Sequence, residues 1–168
     1  DYKIPMATQY DMLSNIRRLI YLATRWFLRN TNLTNGTMPE MIEHYAKNIP
    51  LMNVDPKLTS IIFQNLLSNA VKYTSETGTI VLTIMLRKEN LFITVADNGM
   101  GIPKQQQDKI FQKLFRADNV KESDTNGTGL GLYLLKAIVE HSGGKAWFES
   151  EEYKGTTFFV ELPITGID

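Results

Sequence analysis

The chain has 168 residues, 43% of them apolar and 21% charged. That suffices for one globular domain with a real core and an appended segment. Basic and acidic residues balance at 18 each, so no bulk field favours nucleic acid as a partner. The absence of cysteine and the presence of only two, well separated, histidines exclude disulfides and thiolate metal centres and disfavour structural zinc.

In chain order, residues 10–29 read as a helix, because Met12, Leu13, Ile16, Leu19, Ile20, Ala23, Trp26 and Phe27 recur at helical spacing. Within 12–28, Asn15, Arg17, Arg18 and Arg25 interrupt the apolar run, so it falls short of the roughly 18 apolar residues that span a bilayer. Nothing resembles a secretory signal, and a cytoplasmic location is expected. Residues 39–47 are expected to form a second, shorter helix, with Pro39 in its first turn. Residues 49–54 suit a short strand.

Asp55-Pro56 marks a helix start, an N-cap followed by proline at the first helical position. The helix is expected to run to about Tyr73 along the stripe Leu58, Ile61, Ile62, Leu66 and Ala70. Residues 79–86 and 91–96 read as a hairpin joined by the polar turn 87–90. Residues 103–116 contain helical pieces, and 119–127 form a polar loop. A strong helix is predicted over 130–141, ended by Gly143-Gly144, and strands over 145–150 and 156–162 with a turn at Gly155. Hairpin-linked strands with helices between them imply an α+β, two-layer sandwich with helices on one face of the sheet. No G-x-x-x-x-G-K-[ST] occurs, which argues against the P-loop architecture.

Three stretches carry chemistry. Asn65, Asn69, Lys72 and Tyr73 share one face of the predicted helix. Amide oxygens are hard ligands suited to Mg²⁺, and an ammonium group suits phosphate. Asp97-Asn98-Gly99-Met100-Gly101 follows a strand; its carboxylate can accept from an amine, and its glycines allow backbone to approach a flat ring. Gly127-Thr128-Gly129-Leu130-Gly131-Leu132 opens a helix and offers backbone N–H groups to an anion. Each has an ordinary alternative, respectively a solvated helix face, a strand-end turn and a flexible connector.

Together these stretches resemble the N, G1 and G2 boxes of the ATP-binding catalytic domain of sensor histidine kinases, in the superfamily shared with gyrase, Hsp90 and MutL. Phe111-Gln112-Lys113-Leu114-Phe115-Arg116 is similar to that family's F box, and residues 155–163 to its last strand. The resemblance covers residues 49–165 and implies a Bergerat-type fold with a mixed sheet, for which 49–168 is the expected domain and 1–48 an extra helical segment. It implies ATP and Mg²⁺ as ligands, Asn69 holding the metal with Asn65 in support. It implies Lys72 and Tyr73 at the phosphates and the sugar–base region, and Asp97 at the adenine amine with Thr156 assisting. Gly99 and Gly101 would line the base pocket. Gly127, Thr128, Gly129, Leu130 and Gly131 would wrap the triphosphate, with Phe115 and Arg116 in the lid over 103–126 and Arg116 reaching the γ-phosphate.

Hydrolytic members of the superfamily carry Glu where this chain has Asn65, and a neutral amide cannot act as a general base. Transfer to a histidine, already nucleophilic near neutral pH, needs no such base. The resemblance therefore implies a histidine-containing dimerisation domain as acceptor and a response regulator beyond it. An ATP-binding regulatory module without turnover is the alternative. Neither His44 nor His141 stands in the acceptor context of the family, so the acceptor is expected on a separate domain. The apolar stripe of 10–29 is expected to pack onto the domain, to pair two copies into a homodimer through Leu19, Trp26 and Phe27, or to lie on a membrane surface through its arginines.

Overall fold

The structure, a computed structural model, describes residues 39–46, 55–117 and 128–164. The expected helix over 10–29, strand over 49–54 and loop over 119–127, including Gly127, lie outside the described residues.

Helix α1, Pro56–Tyr73, begins as its sequence dictates. The Asp55 carboxylate accepts from the backbone N–H of Lys57 at 2.6 Å and of Leu58 at 3.4 Å, which satisfies donors that the first turn leaves open. Its buried face carries Ile62, Phe63, Leu66, Leu67, Ala70 and Val71, all at most 3% exposed. Each large side chain buried in this way contributes about 1.5–3 kcal/mol, far more than helix propensity supplies. The helix ends at Thr74, whose backbone is extended.

The described strands are β1 Glu40–Tyr45, β2 Thr79–Arg87, β3 Asn90–Asp97, β4 Lys145–Glu151 and β5 Gly155–Pro163. They form one sheet in the order β1-β2-β3-β5-β4. β1 runs parallel to β2, and the other pairs are antiparallel, so the sheet is mixed. Helix α2, Gly131–His141, lies beside α1. Both helices cover the same sheet face. Ile80, Leu82 and Ile84 of β2 point into this layer with Leu91, Ile93 and Val95 of β3 and Phe158, Val160 and Leu162 of β5. Alternation along each strand produces that face. On the opposite face the Trp147 and Phe159 rings stack 5.2 Å apart, and the Arg87 guanidinium lies 3.6 Å over Phe92.

The helix expected over 39–47 is instead β1. Met41 and Tyr45 pack against the core cluster, and their spacing satisfies either period. The strand wins because Glu40–Tyr45 pairs along the free edge of β2, with Ala46 N–H continuing to Ile84 O at 2.9 Å. So short a helix gains little on its own, whereas edge pairing satisfies backbone groups of both segments. The helical piece in 103–116 is the 3₁₀ segment Lys104–Lys109. Gly155 opens β5, and the hairpin turn itself is 152–154.

Candidate nucleotide site

The ends of α1 and β3, the start of β5 and the loop before α2 meet around a cavity of about 310 Å³. From α1 it is lined by Asn65, Asn69, Lys72 and Tyr73. Their spacing on one helix face brings them together, while Leu66 and Ala70 anchor the adjacent flank of the helix in the core. The Asn65 amide nitrogen donates to Ile61 O at 2.8 Å. That bond fixes the side chain and turns its oxygen away from its own helix toward the loop at Gly131, which leaves no room for a side chain: a Cβ on Gly131 would stand 2.2 Å from Asn65 Oδ1.

Asp97 closes β3. Its Oδ1 accepts from Gly99 N–H at 2.9 Å and Thr156 N–H at 3.3 Å. Burial pushes its pKa from 3.8 up to about 6, and these two N–H groups partly offset that rise. The turn after it is clamped on both sides. Met100 N–H donates to Tyr73 O at 3.1 Å, and Met100 O accepts from Tyr153 N–H at 2.8 Å. Gly101 has φ +62 and presses on the Glu151 carbonyl, which a Cβ would approach to 2.1 Å. Only glycine meets both demands at no steric cost. The carboxylate is thus held between the C-terminus of α1 and the β4–β5 hairpin.

Phe115 and Arg116 bring the segment after the 3₁₀ turn to the wall, and Thr128 and Gly129 bring the loop before α2. Leu114 N–H donates to Gly129 O at 3.0 Å, joining the two. Thr156, from β5, is buried and also lines the cavity. Gly99 does not line it but supports Asp97 from behind. Leu130 is the N-terminal flanking residue of α2 and also stays off the wall. Sequence reasoning missed Ile102, Ile110, Ala117, Leu132 and Phe158, which supply the apolar wall. Phe158 was within reach, since it follows Thr156 by two and shares its strand face.

The cavity therefore combines a buried carboxylate among apolar walls, two amides, a lysine, an arginine and a glycine-rich helix entrance. This combination suits a flat base with an amine, joined to an anionic tail. Residues 54–166 match the family described as histidine kinase-, DNA gyrase B-, and HSP90-like ATPase.

The chain belongs to this family.

Within it, the chain is similar to the ATP-binding domains of sensor histidine kinases. It is 36% identical over 125 residues to the sensor histidine kinase WalK of Bacillus subtilis, spanning 71% of this chain and 20% of that protein. It is 40% identical over 129 residues to the circadian input-output histidine kinase CikA of Synechococcus elongatus, spanning 76% and 17%. The chain thus spans about a fifth of these relatives' length. Among solved structures, the catalytic domain of histidine kinase ThkA superposes with a TM-score of 0.71 at 29% identity, covering 94% of this chain and 95% of that one. The mycobacterial sensor histidine kinase MprB, at 23% identity, shares the fold with a TM-score of 0.73, covering 94% and 99%. A second family, glutamate dehydrogenase, C-terminal, matches residues 1–76. That is under half the chain, and its described part, β1 and α1, is built into the sandwich of the first.

Proposed function

We propose that the chain binds Mg·ATP and donates the γ-phosphoryl group to a histidine on a separate dimerisation domain, from which a response regulator receives it. The supporting observation is that Asn65, Asn69, Lys72, Asp97, Arg116, Gly129 and Thr156 line one cavity. In this reading Asp97 accepts from the adenine amine between Ile102 and Phe158. Lys72, Arg116 and the loop around Gly129 neutralise the phosphates, as phosphoryl transfer demands. We propose a unit that begins at β1, since Glu40–Tyr45 is an edge strand of its sheet.

Magnesium fits the donor set. No group of three or more His, Cys, Asp or Glu side chains that could hold a metal occurs among the described residues, so the described part of the chain offers no cage of that kind. Asn69 offers an amide oxygen. Mg²⁺ commonly takes one or two protein ligands and completes its shell with waters and substrate phosphates. When bound, it would supply charge neutralisation between phosphates.

Asn65 favours transfer over hydrolysis. Its amide has no basic site, and its nitrogen is already committed to Ile61 O. The acceptor domain has a surface to meet. Leu114 is 64% exposed, Tyr133 40% and Leu134 45%, and they flank the Gly129 loop. Neither His44 nor His141 lines the cavity, which keeps a regulatory module without turnover as the second reading. No helix among the described residues is long and apolar enough to cross a membrane, and we place the domain on the cytoplasmic side, where ATP is available.

Calorimetric titration tests the nucleotide half of this proposal. ATP is expected to bind with magnesium-dependent affinity, and Asp97→Asn to weaken it at least tenfold while the far-ultraviolet circular dichroism is retained. Equal affinity in the variant would remove Asp97 from the base site.

A further inference from the structure

Ser150 lies outside the cavity wall, near the end of β4, yet three bonds converge on its hydroxyl. It receives the Ile102 N–H at 2.9 Å, lies 3.0 Å from Gly155 O and lies 2.9 Å from Thr156 Oγ1. A hydroxyl has one proton and two lone pairs. The Ile102 amide can only donate, so it takes one lone pair. The Gly155 carbonyl can only accept, so it takes the proton. What remains for Thr156 is the second lone pair, and Thr156 must therefore donate. Its own proton is consumed, and its oxygen turns only lone pairs toward the cavity it lines.

Gln107 holds this arrangement. Its amide nitrogen donates to Ile102 O and to Ser150 O, each at 3.0 Å. The 3₁₀ segment thereby ties the strand end to the turn after Asp97. Ionised Asp97 is also an acceptor only. Asp97 and the Thr156 hydroxyl thus face the cavity as two acceptors.

We infer that Ser150 is a positioning residue that sets base specificity, by fixing Thr156 as an acceptor so that the pocket takes 6-amino purines and rejects 6-oxo purines. This rests on the nucleotide reading of the cavity. An exocyclic amine brings two N–H donors to the acceptors. A 6-oxo purine moves its proton to N1 and leaves at C6 an oxygen, which faces them without a proton, and an unmatched polar pair inside a site is costly. Releasing the Thr156 proton would let that hydroxyl turn and donate to the oxo group.

The test compares binding of ATP and inosine 5′-triphosphate to the full chain by competition with a fluorescent nucleotide. The unchanged chain is expected to prefer ATP. Ser150→Ala is expected to reduce the ATP-to-ITP preference about five- to tenfold, the worth of one hydrogen bond, and Ser150→Thr, which keeps the hydroxyl, to retain it. Thr156→Val provides the second arm. In that background Ser150→Ala should leave the preference unaltered, because Ser150 acts through the Thr156 hydroxyl. Equal losses for both nucleotides in Ser150→Ala, with the ratio unmoved, would overturn the inference and leave Ser150 a structural residue. An undiminished effect of Ser150→Ala in the Thr156→Val background would overturn it as well. Failure of the unchanged chain to bind ATP would overturn the nucleotide reading itself, and this inference with it.

Discussion

Asp97 links the pocket to pH. Its folded pKa is about 6 against 3.8 for an ordinary aspartate, chiefly because burial disfavours the charge. Its contribution to stability is therefore fullest below pH 4, is lost as pH rises toward 6, and is flat above that. Binding has the opposite sign, because an amine donor needs the ionised form. ATP affinity is expected to fall as pH drops through about 6. Titrating Asp97→Asn with the same nucleotide isolates this term, since phosphate protonation is common to both chains; parallel pH profiles would contradict the assignment. The pair Asn65 and Gly131 gives a second residue-scale expectation. A methyl group at 131 would stand 2.2 Å from Asn65 Oδ1, and overpacking of this kind costs about 1–3 kcal/mol. Gly131→Ala should lower the thermal midpoint, and adding Asn65→Ala should recover most of the loss. Strictly additive losses would show that the two side chains do not meet. Asn65, Asn69 and Asp97 were legible in the sequence because helix period and strand-end position are local properties. Ser150 and Ile102 were not, because the β4–β5 hairpin brings them to the site across 48 residues of sequence separation.

At the scale of elements, local rules held where the chain carries its own punctuation. Asp55-Pro56 starts α1, and the two hairpins follow from alternation and turn residues. β1 escaped the same reasoning because its six residues satisfy a helical and an extended period alike. Its partner, the edge of β2, is invisible to any short window. The N-cap offers a clean test of how element stability separates from function. Asp55 sits about 21 Å along the helix from Asn69, so Asp55→Ala should cost about 1 kcal/mol in urea denaturation and leave ATP affinity within twofold. A large loss of affinity would mean that α1 moves as a rigid rod on its cap.

For the whole molecule, the fold gathers Asn65, Asn69, Lys72, Asp97 and Arg116 at one cavity. Among the described residues, the only histidines are His44 on an edge strand and His141 at the end of α2, and neither lines that cavity. The sandwich and its layers could be expected from the order of elements. The proposal that the chain acts as phosphoryl donor rests on the residues gathered at that cavity, with a neutral amide at position 65. The decisive measurement is incubation of the chain with γ-labelled ATP and magnesium beside a separate dimerisation domain that carries the acceptor histidine. Label that appears on that domain, is lost in acid, and disappears with Asp97→Asn is the predicted result. Tight Mg·ATP binding with no label on the acceptor domain, or steady phosphate release to water in its place, would contradict the account.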